Sequence, residues 1–218
     1  MTLPDKEKFM SDKKIIIFAV VLSLLLIGGG WYYSAQNQGN QPARTPDVSR
    51  DVSEPGILIG DPNAPVTMEE YTNFLCPACA RFAGTTLTQI KDEYVKTGKV
   101  KLAIFILPPY ELGQAAFCAN EQNKFVEYHD YTFAHQEQIT KEGDLKDFAV
   151  NAGLDSAKFN ACYDSAKYQE KVSKWYEEAN ARGVESTPTF FINGQKFIGA
   201  QPYADFKKLI DEKLNQAG

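Results

Sequence analysis

Two thiols three positions apart, in Cys76-Pro77-Ala78-Cys79, can close a small disulfide ring and reopen it. A thiolate, not a thiol, attacks a disulfide, so the chemistry depends on what lowers the pKa of one sulfur. Upstream, Val66-Thr67-Met68-Glu69-Glu70-Tyr71 has strand character. Downstream, Cys79, Phe82, Leu87, Ile90 and Tyr94 recur near helical spacing and define one apolar face. Cys76 then falls at a helix N-cap, with Pro77 at the first helical position, where its missing N–H does no harm. Free backbone N–H groups and the helix dipole at that terminus favour a thiolate at Cys76. Cys79, one turn on, is placed to resolve what Cys76 attacks.

The same spacing is half of many zinc sites, whose other half is a second close pair of cysteines or histidines. Cys118 and Cys162 stand alone and far apart, and His129 and His135 are spaced too widely to be ligands on adjacent helical turns. Redox use of the dithiol is expected, with no metal.

About 110 residues later comes Ser186-Thr187-Pro188-Thr189-Phe190-Phe191-Ile192-Asn193-Gly194. A proline directly precedes a β-branched and aromatic strand that ends in an Asn-Gly hairpin turn. Proline at a strand start is tolerated, and a cis form would turn the backbone sharply. A strand–helix C-x-x-C unit followed much later by Thr-Pro and a hairpin resembles the thioredoxin superfamily and, more narrowly, the DsbA-like thiol–disulfide oxidoreductases. The residues that carry the resemblance are Asn73 to Cys79, Phe117-Cys118-Ala119 with Lys124 to Asp130, and Gly183 to Phe191, within a region from about Pro55 to the C-terminus.

The resemblance implies an α/β thioredoxin-like fold with an inserted helical domain, and a cis Pro188 beside the dithiol. Cys76 and Cys79 would form the redox-active disulfide, with Thr187, Pro77 and Ala78 against the substrate. In the family the position of Glu70 often holds a buried acid under the disulfide, so Glu70 resembles a proton acceptor for Cys79; a buried carboxyl would show a raised pKa. The alternative for Glu70 is a solvated acid. DsbA-like relatives that carry both cysteines of the insertion pair them, which implies a structural Cys118–Cys162 disulfide. Two buried free thiols are the competing reading. Strong oxidases of the family often carry His where Ala78 stands, so the expected potential lies above that of thioredoxin and below that of DsbA.

The remaining chain positions these groups. Ile57-Leu58-Ile59 reads as a short edge strand, and Val100 to Leu107 as a central strand buried on both faces, ended by Pro108-Pro109. From about 112 to 168 the character is helical, with breaks near Gly143 and at Asn151-Ala152-Gly153. Phe125, Tyr128, Tyr131 and Phe133 there are expected in the core, with a substrate groove as the alternative. Tyr168, Val172, Trp175, Tyr176 and Ala179 form an amphipathic stripe, and Tyr203, Phe206, Leu209, Ile210 and Leu214 a last helix.

At 218 residues and 44% hydrophobic composition the chain is long enough for one globular domain plus appendages. Its net charge of −5 argues against a general affinity for nucleic acid. Residues 15–33 are almost wholly apolar, about the length of a bilayer core, with Lys13 and Lys14 before them and Trp31-Tyr32-Tyr33 at their end. A single-pass transmembrane signal-anchor is expected, with residues 1–14 cytoplasmic, 34–54 a flexible polar linker, and the domain at 55–218 extracytoplasmic in the cell membrane. A cleaved signal peptide is the competing reading, and either exports the domain. The expected activity is introduction of disulfides into reduced exported proteins by a monomer without cofactors, reoxidised by a membrane quinone-linked thiol oxidase. An isomerase or reductase of exported proteins would use the same dithiol with its poise reversed.

Overall fold

A computed structural model of the chain describes residues 55–217; the segments 1–14, 15–33 and 34–54 lie outside the described residues. Five strands form one sheet in the order β1-β3-β2-β4-β5, with β1 at Ile57–Ile59, β2 at Val66–Thr72, β3 at Val100–Ile106, β4 at Thr189–Ile192 and β5 at Gln195–Ile198. Only β2 and β3 run parallel; the other pairs are antiparallel. The middle strand is therefore β2, not β3. Although β3 lies inside the sheet, Lys101 and Ala103 are only half-buried, and Lys101 Nζ donates to the Pro62 carbonyl at 2.7 Å. An apolar run shows that a strand is covered, not that it is central.

Side chains alternate across a strand, so β2 sends Val66, Met68, Glu70 and Thr72 to one face and Thr67, Glu69 and Tyr71 to the other. On the first face lie α1 (Pro77–Gly84), α2 (Thr86–Ile90) and α8 (Tyr203–Ala217). Phe82 sits 4.6 Å from Phe190 and 5.1 Å from Phe206, ring to ring. On the second face Tyr71 stacks on Phe105 at 4.5 Å, and Phe105 meets Trp175 of α7 (Gln169–Ala181) edge-on at 5.5 Å.

The apolar stripe from Cys79 to Tyr94 is buried throughout but is not one helix. The chain breaks at Thr85, and α2 passes into a π-helical turn at Lys91–Val95. The five-residue step from Phe82 to Leu87 marks the break, because a regular helix returns to one face after three or four. The Asn-Gly turn forms as expected, with Asn193 and Gly194 at φ 43° and 79°. Asn193 is also locked to β2: its backbone N–H donates to the Thr67 carbonyl, and its Oδ1 accepts from the Thr67 N–H.

The insertion comprises α3 (Tyr110–Glu121), α4 (Phe125–Ala134), α5 (Glu142–Asn151) and α6 (Ser156–Asp164). Phe125, Tyr128 and Phe133 are core, and Tyr131 is half-buried, stacked on His135 at 4.0 Å. A disulfide joins Cys118 on α3 to Cys162 on α6, with Cα atoms 5.7 Å apart. Helix α3 approaches α7 closely at Gly113, where a Cβ would fall 2.5 Å from Val172 Cγ2, so a larger residue would push the helices apart.

Candidate active site

The start of α1 places the two sulfurs in different surroundings. Cys76 is the N-cap, with extended backbone, and Pro77 follows at the first helical position. The Cys79 N–H donates to Cys76 Sγ at 3.4 Å, satisfying one of the orphan donors of the helix start. Cys76 is partly exposed, whereas Cys79 is fully buried, and both are free thiols here.

Burial of Cys76 works to raise its pKa, but hydrogen bonds outweigh it and leave the thiol below its ordinary value. The donors are the Thr187 side chain, the Cys79 thiol and the backbone N–H groups of Cys79 and Ala78. The Thr187 carbonyl accepts from Cys76 Sγ at 3.3 Å, which by itself holds the proton; the donors prevail. For Cys79 the balance is opposite: burial pushes its thiol up to about 12, and its hydrogen bond to Cys76 adds to that. One sulfur is prepared as nucleophile and leaving group, the other as a thiol that needs a base.

Thr187 and Pro188 are joined by a cis peptide, and the Thr187 contact brings them to Cys76. Exposed Pro77 and half-buried Ala78 lie on the same helix start. Glu70 is fully buried on the face of β2 that α1 covers, so it is not a solvated acid. Burial raises its pKa to about 8, and the Thr72 side chain and the Lys91 charge offset only part of that. Both Glu70 carboxyl oxygens and Thr72 Oγ1 lack hydrogen-bond partners among the described residues. Thr72 works to lower the pKa of both Glu70 and Cys79, and burial outweighs it in each case. Two strand positions from Glu70, on the same face, it had a readable address in the sequence. Cys118 and Cys162 are held apart from this site on α3 and α6. There Gln114 Nε2 donates to the Cys162 carbonyl at 2.9 Å.

A family model described as thioredoxin matches residues 52–212. The chain belongs to the thioredoxin family. It is 29% identical over 171 residues to the probable disulfide bond formation protein D of Bacillus anthracis, across 72% of this chain and 78% of that one. Its fold matches BdbD of Bacillus subtilis in the oxidised form with a TM-score of 0.67 at 21% identity, covering 74% of this chain and 96% of that one. Wolbachia pipientis alpha-DsbA1 matches with a TM-score of 0.67 at 25% identity, covering 78% and 96%. Within the thioredoxin family the chain is DsbA-like, a thiol–disulfide oxidoreductase.

Sequence reasoning missed what fixes the two loops of this thioredoxin site. Asn73 Nδ2 donates to the Leu107 carbonyl at 3.1 Å and to the Pro108 carbonyl, while its Oδ1 accepts from the Leu75 N–H at 2.7 Å. That clamp ties the turn before Cys76 to the end of β3. On the far face of β2, Arg182 pairs with Glu69 through two 2.8 Å bonds, donates to Tyr71 Oη at 2.6 Å and lies 3.8 Å over the Phe191 ring. Its burial works against its charge, but Glu69 and Tyr71 overcome this and raise its pKa. Arg182 closes α7, so it anchors the start of the loop that leads to Thr187 and Pro188. The sequence held one signal: Glu69, alternating away from Glu70 on a covered strand, requires a cation.

Proposed function

We propose that this protein is an extracytoplasmic, membrane-tethered oxidase that introduces disulfides into exported proteins through Cys76 and Cys79. The observation that carries the direction is the unequal treatment of the two sulfurs. A thiol pair whose exposed member has a lowered pKa is stabilised in its reduced form, which makes its disulfide more oxidising. A substrate thiolate attacks Cys76 Sγ of the disulfide and breaks the Cys76–Cys79 bond. Cys79 leaves and takes the proton that neutral Glu70 carries. A second substrate thiolate attacks the substrate sulfur of the mixed disulfide and expels Cys76 as a thiolate. The substrate loses two electrons and the dithiol gains them. In reoxidation Glu70 accepts the Cys79 proton as Cys79 attacks the mixed disulfide formed with a membrane quinone-linked thiol oxidase.

The backbone at Thr187 and Pro188 receives the extended substrate, with Pro77 and Ala78 beside it. The location is supported by the apolar segment 15–33 behind Lys13 and Lys14, and by the Cys118–Cys162 bridge, which suits an oxidising compartment. Equilibration with glutathione tests the direction. The expected potential lies between about −270 mV, that of thioredoxin, and about −120 mV, that of DsbA. A value below thioredoxin's would make the enzyme a reductase. Labelling of Cys76 in intact cells by a membrane-impermeant thiol reagent tests the location, and labelling only after lysis would reject it.

A further inference from the structure

Beside the reacting sulfurs an open groove of about 770 Å³ lies between the end of β3 and the last turns of α7. Its walls include Pro108 from the β3–α3 connection, Tyr110 at the start of α3, Tyr176 and Asn180 from α7, and Glu185 and Thr187 from the following loop. Thr187 belongs to groove and site alike, since its carbonyl accepts from Cys76 Sγ. Tyr176 is 44% exposed, a large aromatic turned away from the side of α7 that buries Val172, Trp175 and Ala179. Asn180 stands one turn on from it, on the same exposed side. Glu185 is the only charged residue lining the groove, is exposed, and has no ion pair or hydrogen bond among the described residues.

A substrate joined to Cys76 through its own cysteine must run its neighbouring residues past Thr187. At about 3.3 Å per extended residue, the first few neighbours reach the groove. Two tyrosines offer broad aromatic faces, and an unpaired carboxylate beside them supplies the complementary charge for a cation. A guanidinium suits this best, since its plane stacks on a ring while its edge meets a carboxylate.

We propose that this groove is a specificity subsite for the residues flanking the substrate cysteine, and that it selects a cationic side chain, arginine above lysine, within three residues of that cysteine. The inference rests on the thiol-oxidation reading above. Its test uses the full chain in detergent and two-cysteine peptides that differ only in one flanking residue: Arg, Lys, Ala or Glu. The Arg peptide should be oxidised about five-fold faster than the Ala peptide at low salt, the Glu peptide slowest, with the spread narrowing at high ionic strength. Glu185→Gln should bring the Arg-to-Glu ratio close to one, and Glu185→Lys should invert it.

Equal rates for all four peptides overturn the subsite, as does a ratio that survives both substitutions. A Glu185→Lys variant that keeps the ratio but loses a concentration-dependent dimer gives the groove to a second copy, which also overturns it. Failure to oxidise even the Ala peptide would count against the oxidase reading alone. The same peptides as glutathione mixed disulfides, which Cys76 attacks whatever the physiological direction, then still read the flank preference.

Discussion

The molecule holds two pairs of cysteines, and only their surroundings distinguish them. Cys118 and Cys162 sit on the buried faces of α3 and α6, and are bonded to each other. Cys76 and Cys79 sit at the start of α1, one partly exposed and one sealed, and are free. Each buried residue of the first pair is packed as a small hydrophobe would be. In the second pair a gradient of burial runs across one helical turn, and the orphan N–H groups lie on its exposed side. Reactivity here is a property of the helix end, and the sulfur reports it.

The largest test of this contrast is kinetic. Cys76→Ser should abolish thiol oxidation, and Cys79→Ser should trap substrate proteins on Cys76, visible as mixed disulfides on a non-reducing gel. Partners trapped on Cys79 in a Cys76→Ser chain would reverse the assigned roles. Replacing Cys118 and Cys162 together by Ser should leave the ultraviolet thiolate titration of Cys76 in place. It should cost stability instead, by about 4 kcal/mol on the chain-entropy account of a bridge spanning 44 residues. Chemical denaturation measures this loss, and a changed Cys76 titration would show that the two pairs communicate.

Glu70 sharpens the contrast through pH. Its folded pKa of about 8 lies above the unfolded carboxylate value, so the native state holds a proton that the unfolded state has lost. Stability from this group is therefore full below about pH 4.5 and falls as pH rises towards 8. Glu70→Gln should flatten that decline, leaving the variant about 3 kcal/mol more stable than the parent at pH 7. It should also slow the step in which Cys79 gains or loses its proton, by about ten-fold or more. A variant that is neither stabilised nor slowed would remove Glu70 from the mechanism.

The smallest effect lies at the helix start itself. Ala78→His adds a hydrogen-bond donor and a partial charge beside Cys76. We expect its pKa to fall by about one unit and the potential to rise by about 30 mV. Redox equilibration with glutathione reads both consequences of the substitution. An unchanged potential would mean that the backbone donors already saturate Cys76.

The placement of Cys76 at a helix start was legible because a cap position, a proline and an apolar stripe are local features. Pro188 was legible through the hairpin that follows it, and the insertion through its helical periods. The order of the strands was not: the apolar run at 102–107 could not tell the middle of the sheet from the place beside it. The break at Thr85 showed only as one step too many between Phe82 and Leu87. The clamps of Asn73 and Arg182 stayed hidden because their partners lie far along the chain, and side-chain type alone names no partner. The groove at Tyr176 and Glu185 depends on how α7 meets the end of β3, which no periodicity encodes.

Two adjacent acids on β2 also set a constraint on how the chain can vary. Glu69 is an anion held against Arg182, and Glu70, one residue on, is a carboxyl that keeps its proton. Because side chains on a strand change face at every step, a single inserted or deleted residue before Glu69 would exchange their destinations. The bare anion would then lie under the dithiol and the proton carrier against the guanidinium. The phase of this seven-residue strand is therefore tied to the destinations of its two acids as firmly as to its packing.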